Sequence, residues 1–116
     1  MRHWTITNTL TVLNLAHEIL LGPSPLSSGE RELIASYVSY LNECEFCHYS
    51  HSAAASEHFG DKGKTVQCVI DNIDSSNLSE KMKQLLRIAS KVQKSGRQGY
   101  CSKKCVKSKN LIFVLK

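Results

Sequence analysis

The chain has only two prolines, no internal repeat, and nowhere the run of about 20 apolar residues that a membrane span needs. Apolar residues recur instead at helical spacing in several places. Few prolines and short apolar periods together point to an all-α fold, a compact bundle of about five helices with an irregular C-terminal tail. At 116 residues it is one small domain. No cleavable leader is expected from the first residues. The apolar stretch after Met1-Arg2-His3 is broken by Asn14, His17 and Glu18, and no small-residue cleavage site follows. A cytoplasmic chain is therefore expected, with no membrane partner, and in a reducing compartment five cysteines do not form a structural disulfide framework.

Acidic residues are absent from positions 91–116, which hold eight lysines and arginines; residues 1–90 hold seven against all ten acids. The net charge of +5 thus belongs to the end of the chain and not to its body. This shift divides a helical domain, residues 1–96, from a basic tail, residues 97–116. The tail holds one aromatic, Tyr100, among its basic residues and no nucleic-acid-binding motif. Composition therefore favours a disordered, solvated end over nucleic-acid binding. Leu111-Ile112-Phe113-Val114-Leu115 is a short β-prone run within it. Cys101 and Cys105 read as ordinary thiols, made oxidisable by Lys103 and Lys104.

Four helices are well marked. Val12, Leu13, Ala16, Ile19 and Leu20 predict a first helix over about 7–21, stopped by Gly22-Pro23. Ser27-Ser28-Gly29-Glu30 is a capping box opening a second helix over about 28–42, whose apolar face is Leu33, Ile34, Tyr37, Val38 and Leu41. Glu32 falls almost opposite that face, so periodicity alone makes it a solvated carboxylate of the first turn. Ala35, Ser36 and Ser39 are nevertheless small enough to admit another helix there. A third helix over about 44–59 carries Ala53-Ala54-Ala55. Thr65–Ile70 is a short helical or irregular segment with Val66, Val69 and Ile70 as core candidates and Cys68 as a small buried residue. Asn77, with Glu80 three on, caps a last helix over about 79–94, faced by Leu78, Met82, Leu85, Leu86, Ala89 and Val92.

The chemistry lies in Cys44-Glu45-Phe46-Cys47-His48-Tyr49-Ser50-His51, a C-x-x-C-x-x-x-H pattern. On a helix Cys44, Cys47 and His51 share one face. Two thiols within disulfide reach and an imidazole one turn on make a redox-active dithiol the leading reading. Thiolate is the nucleophile, and a helix start or a neighbouring base favours it. A carboxylate behind the imidazole would fix its tautomer, a role open to Glu32. A peroxide would turn one thiolate into a sulfenic acid, and the second thiol would condense with it to a disulfide. Two other readings stay open: a zinc site of Cys44, Cys47 and His51 completed by Cys68, Cys101 or Cys105, and a non-catalytic module in which the cysteines only pack. The remaining histidines, His3, His17 and His58, carry no assigned role.

Glu32, eleven residues, then Cys44-x-x-Cys47-x-x-x-His51 matches the E-x(11)-C-x-x-C-x-x-x-H signature. The chain resembles the alkylhydroperoxidase-D-like, or carboxymuconolactone decarboxylase-like, superfamily, and its peroxidase-related branch most of all. Residues 21–35, 41–44 and 50–55 share the likeness, which spans roughly residues 10–97. The resemblance implies a helical fold whose subunits associate into a homo-oligomer. It implies a peroxidase that reduces hydroperoxides with Cys47 attacking, Cys44 resolving, and His51 and Glu32 relaying the proton. No metal, haem or flavin is implied, and the reductant is an external thiol, by analogy a lipoyl-bearing protein. Phe46 stands where some members carry a further histidine, and His48 does not inherit that role. Family members continue after the Lys94-Ser95-Gly96 region into further helices, which residues 98–116 do not resemble, as in a shortened or frame-shifted chain.

Overall fold

Five α-helices follow one another: α1 (Ile6–Leu21), α2 (Ser28–Leu41), α3 (Glu45–Phe59), α4 (Lys64–Asp71) and α5 (Glu80–Cys101), with a 3-10 turn at Ile73–Ser75. This computed structural model describes the backbone of residues 6–101 and the side chains of residues 9–95. Among the described residues there is no strand, and the expected all-α bundle is what forms. No helix among them is long and apolar enough to cross a membrane.

The second helix, α2, is the axis, touching α1, α3, α4 and α5. Its start is the capping box: Ser27 Oγ accepts from the Glu30 backbone N–H at 3.1 Å, and Glu30 Oε2 accepts from the Ser27 N–H at 2.8 Å. Leu33, Ile34 and Val38 of α2 meet Ala55 of α3, Val66 and Val69 of α4, and Met82, Leu86 and Ala89 of α5 in one core. Each fully buried leucine there contributes about 2–3 kcal/mol relative to an exposed one. The α2–α3 contact is the most extensive, and the helices run antiparallel: Gly29 meets His58, whereas Ser36 meets Ser52 and His48. At Gly29 the approach is so close that an added Cβ would lie 2.7 Å from the His58 Cβ.

Several expectations need correction. Glu32 is only 7% exposed, because the side of α2 that looked solvated is covered by α3. The face of α1 is mostly unpacked: Ile19 is buried, while Val12 and Leu13 are exposed. What fastens α1 is the buried Arg31 of α2, whose Nη1 donates to the Ile19 carbonyl at 2.7 Å, one of the carbonyls a helix end leaves without a partner. Cys68 is exposed and not buried, because Val66 and Val69 take the inner face of α4. Ser79, not Asn77, caps α5, its Oγ accepting from the Met82 N–H at 3.3 Å. The last helix also runs past residue 94, through Gly96 to Cys101. Gly96 and Gly99 each cost about 1 kcal/mol there relative to alanine, and the helix continues through both. His3, Cys105 and the Leu111–Leu115 run lie outside the described residues.

Candidate functional site: two thiols and two anchored imidazoles

Backbone geometry between α2 and α3 sets the site. The Asn42 that ends α2 is followed by Glu43 in the left-handed region, φ 59°. The Glu43 N–H bonds the Tyr40 carbonyl and the Cys44 N–H bonds the Ser39 carbonyl, both at 3.0 Å. This is the Schellman ending, which glycine usually supplies; a glutamate there costs on the order of 1–2 kcal/mol. The motif leaves Cys44 extended, at φ −95° and ψ 90°, as the N-cap of α3. Cys44 is therefore not a helical residue, as the spacing suggested, but the residue on which the helix begins.

Both sulfurs are partly buried free thiols. The neighbouring Cys47 thiol, more than any other group, holds the Cys44 thiol below its ordinary pKa, because it can donate to a Cys44 thiolate. A smaller lowering comes from the Cys47 backbone N–H, which lies near without closing a capping hydrogen bond. Cys47 is shifted the other way: donation to Cys44 retains its proton, and burial and the Cys44 charge add to the rise. Alkylation should follow that order. As pH rises toward the ordinary thiol range, iodoacetamide should label Cys44 first and Cys47 only above it, as fragment mapping of the peptide that holds both would show. Labelling of Cys47 first would reverse the assignment.

His51 stands four residues beyond Cys47, on the same side of α3. Its Nδ1 lies 2.7 Å from Glu32 Oε2, with the imidazole 29% and the carboxylate 9% exposed. A carboxylate can only accept, so Nδ1 is the protonated nitrogen and Nε2 is left as the basic one. No hydrogen bond from His51 to either sulfur is present among the described residues. The structure thus brings Glu32 to His51, and Cys44 beside Cys47, with the imidazole one helical turn beyond Cys47.

A second imidazole is held the same way. His48 Nδ1 lies 3.1 Å from the Ser36 carbonyl oxygen and 3.2 Å from Ser36 Oγ, and Ser36 is fully buried. Ser52 Oγ completes the cluster, 2.7 Å from Ser36 Oγ. Glu32 and Ser36 are one turn apart on α2 and anchor His51 and His48 of α3 respectively. In the sequence, the small residues on the far side of α2 are the signal that something packs there, and nothing in it marks His48 as tethered.

A cleft of about 740 Å³ opens on the Cys44 side. Cys44, His48, Tyr40 and Tyr49 line it, and Gln67, Ile70 and Asp71 of α4 face them. The His48 ring is tilted against both tyrosines, centroids 5.5 and 5.4 Å away. Cys47 and His51 are not part of its lining. Among the described residues, no three His, Cys, Asp or Glu side chains come together in a geometry that could hold a metal ion. Cys68 sits exposed on α4, and His17 and His58 are exposed on α1 and α3.

Residues 9–91 match the model of the carboxymuconolactone decarboxylase family. The chain is similar to an uncharacterized peroxidase-related protein from Silicibacter sp. TM1040, whose crystal structure superposes with a TM-score of 0.74 at 24% identity. That likeness shows the fold, and it covers 96% of this chain and 62% of the other. The chain thus spans less than two thirds of that protein's length. No curated protein matches it.

Proposed function

This chain belongs to the carboxymuconolactone decarboxylase family, and from that premise we propose that it is a thiol-dependent peroxidase that reduces hydroperoxides through a Cys44/Cys47 dithiol–disulfide cycle. One observation carries the reading: a buried carboxylate, Glu32, bonded at 2.7 Å to the imidazole that follows the thiol pair by one turn. A lone histidine near cysteines has many explanations. A histidine whose tautomer is fixed by a buried acid, leaving Nε2 on the thiol-bearing helix, has the form of a positioned base.

The cycle assigns each group a task. Cys47, whose pKa is raised, needs a base, and His51 backed by Glu32 supplies one. With the proton on His51, the Cys47 thiolate attacks the O–O bond. Its sulfur becomes a sulfenic acid, and the leaving alkoxide takes the proton back from His51 as an alcohol. The Cys44 thiol then displaces the sulfenic oxygen as water, forming the Cys44–Cys47 disulfide. An external thiol reduces that bond, and a lipoyl group is one candidate by family analogy. Assembly into a homo-oligomer and a cytoplasmic setting belong to the same proposal. The name of the Silicibacter protein, peroxidase-related, agrees with this reaction class.

Stopped-flow mixing of the reduced chain with an organic hydroperoxide tests the reading. About one peroxide per chain should be consumed without added thiol, and many once an external thiol is supplied. Consumption no faster than by free cysteine would contradict it.

A further inference from the structure

We propose that the cleft beside Cys44 admits the external thiol that reopens the disulfide, and that His48 Nε2 is the base that takes that thiol's proton. The inference rests on the dithiol cycle above and assigns its reductive half to particular residues.

Access decides which sulfur is attacked. Cys44 lines the cleft and Cys47 does not, so a thiol entering there meets Cys44. His48 lines the same cleft, and its backbone N–H bonds the Cys44 carbonyl at 2.9 Å, so it stands one turn above that cysteine. The His48 ring is not free to choose its tautomer. A carbonyl oxygen can only accept, so the Ser36 carbonyl, 3.1 Å away, requires the hydrogen on Nδ1 and leaves the lone pair on Nε2. Ser52 Oγ is 3.5 Å from Nε2, too far to occupy it strongly. The ring is also steadied between Tyr40 and Tyr49. An imidazole of fixed tautomer that lines the same cleft as a half-buried cysteine is what a reluctant alkyl thiol needs. Glu43, Glu45 and Asp71 line the cleft and no lysine or arginine does, so the thiol that fits is neutral or cationic.

The step balances. The incoming thiol gives its proton to His48 Nε2, and its sulfur bonds Cys44 Sγ. The Cys44–Cys47 bond breaks with its electron pair on Cys47. Cys47 takes up a proton by way of His51, and His48 returns its own to solvent. A second thiol attacks the external sulfur of the mixed disulfide, releasing an oxidised disulfide product and the Cys44 thiol. Two thiols supply the two electrons.

The test compares the full chain with its His48→Asn variant, whose amide can still donate to the Ser36 carbonyl. Both are oxidised with diamide, so no peroxide is involved, and free Cys47 is then followed by acid quench and peptide mass mapping. With 2-mercaptoethanol, which is protonated at neutral pH, the variant should be reduced about 100-fold more slowly. With trifluoroethanethiol, a much more acidic thiol that is ionised in substantial part at neutral pH, the two should differ by no more than a few-fold. Equal slowing with both thiols would show a merely structural role, and no slowing with 2-mercaptoethanol would remove the base; either overturns the proposal. So would failure of diamide to join Cys44 to Cys47. His48→Gln serves if the asparagine variant does not fold. Cysteamine should outpace mercaptoacetate by more than their thiolate fractions explain, and the reverse order would overturn the assignment of the cleft. A chain that passes these tests yet ignores peroxide would lose the oxidative reading alone.

Discussion

Cys47→Ser is expected to abolish peroxide turnover, and Cys44→Ser to stop it after a single oxidation. A serine hydroxyl cannot replace a thiolate: it is ionised far less readily and forms no stable counterpart of the sulfenic acid. Without Cys47 no sulfur lies on the His51 side of the pair. Without Cys44 the sulfenic acid forms but has no neighbour within disulfide reach, so it persists or is slowly overoxidised. The readout is peroxide consumed per chain in the presence of an external thiol, with dimedone trapping of the sulfenic acid in the Cys44 variant. The remaining sulfur in each variant also loses its partner's influence. Cys44 should titrate upward when Cys47 can no longer donate to it, and Cys47 downward when Cys44 no longer holds its proton. The reverse pattern, one oxidation surviving in Cys47→Ser and none in Cys44→Ser, would assign the attack to Cys44, on the cleft side. Normal turnover in both variants would end the mechanism.

Glu32→Gln should lower the rate of peroxide reduction by about 100-fold, roughly 2.7 kcal/mol of barrier, with little effect on the fold. The exchange keeps the size of a side chain that is 9% exposed and removes its charge. A glutamine can meet His51 through its oxygen or its amide, and the second choice turns the imidazole to the tautomer with Nδ1 as acceptor. Then Nε2 carries a proton and is no base for Cys47. The pH midpoint for alkylation of Cys47 should rise, while that of Cys44, which owes nothing to this pair, should stay in place. Thermal unfolding serves as the control for folding. An unchanged Cys47 midpoint together with unchanged peroxide reduction would remove Glu32 and His51 from the relay.

What could be read from the chain divides by range of interaction. The α2 capping box is written in four adjacent residues and forms as written, because both of its hydrogen bonds are local. The periodicity of α5 places Met82, Leu86 and Ala89 in the core for a similar reason: one face meets the bundle and the other meets water. Periodicity failed for α2 because it is enclosed on several sides, so that a carboxylate opposite the apolar face, Glu32, is buried as deeply as that face. The small residues Ala35, Ser36 and Ser39 beside it left a buried role open to Glu32, and the resemblance, resting on an eleven-residue spacing, selected it. The Schellman turn escaped notice because a glutamate, Glu43, occupies the left-handed position where a glycine would have signalled it. Without that turn Cys44 looks like a helical residue; with it, Cys44 becomes the N-cap. The Ser36–His48 tether was invisible for a further reason: nothing in one sequence reports that a backbone carbonyl of one helix faces an imidazole of the next. For α1, apolar residues at helical spacing promised packing that only Ile19 fulfils among its described side chains.

In the proposed cycle Cys44 and Cys47 exchange their hydrogens for a bond when a peroxide arrives. Peptide mass mapping after one equivalent of organic hydroperoxide, with free thiols blocked on quenching, addresses it directly. A peptide spanning both residues, unblocked and lighter by two hydrogens, is expected in proportion to peroxide consumed. A peptide blocked at both cysteines after the peroxide has gone would contradict it.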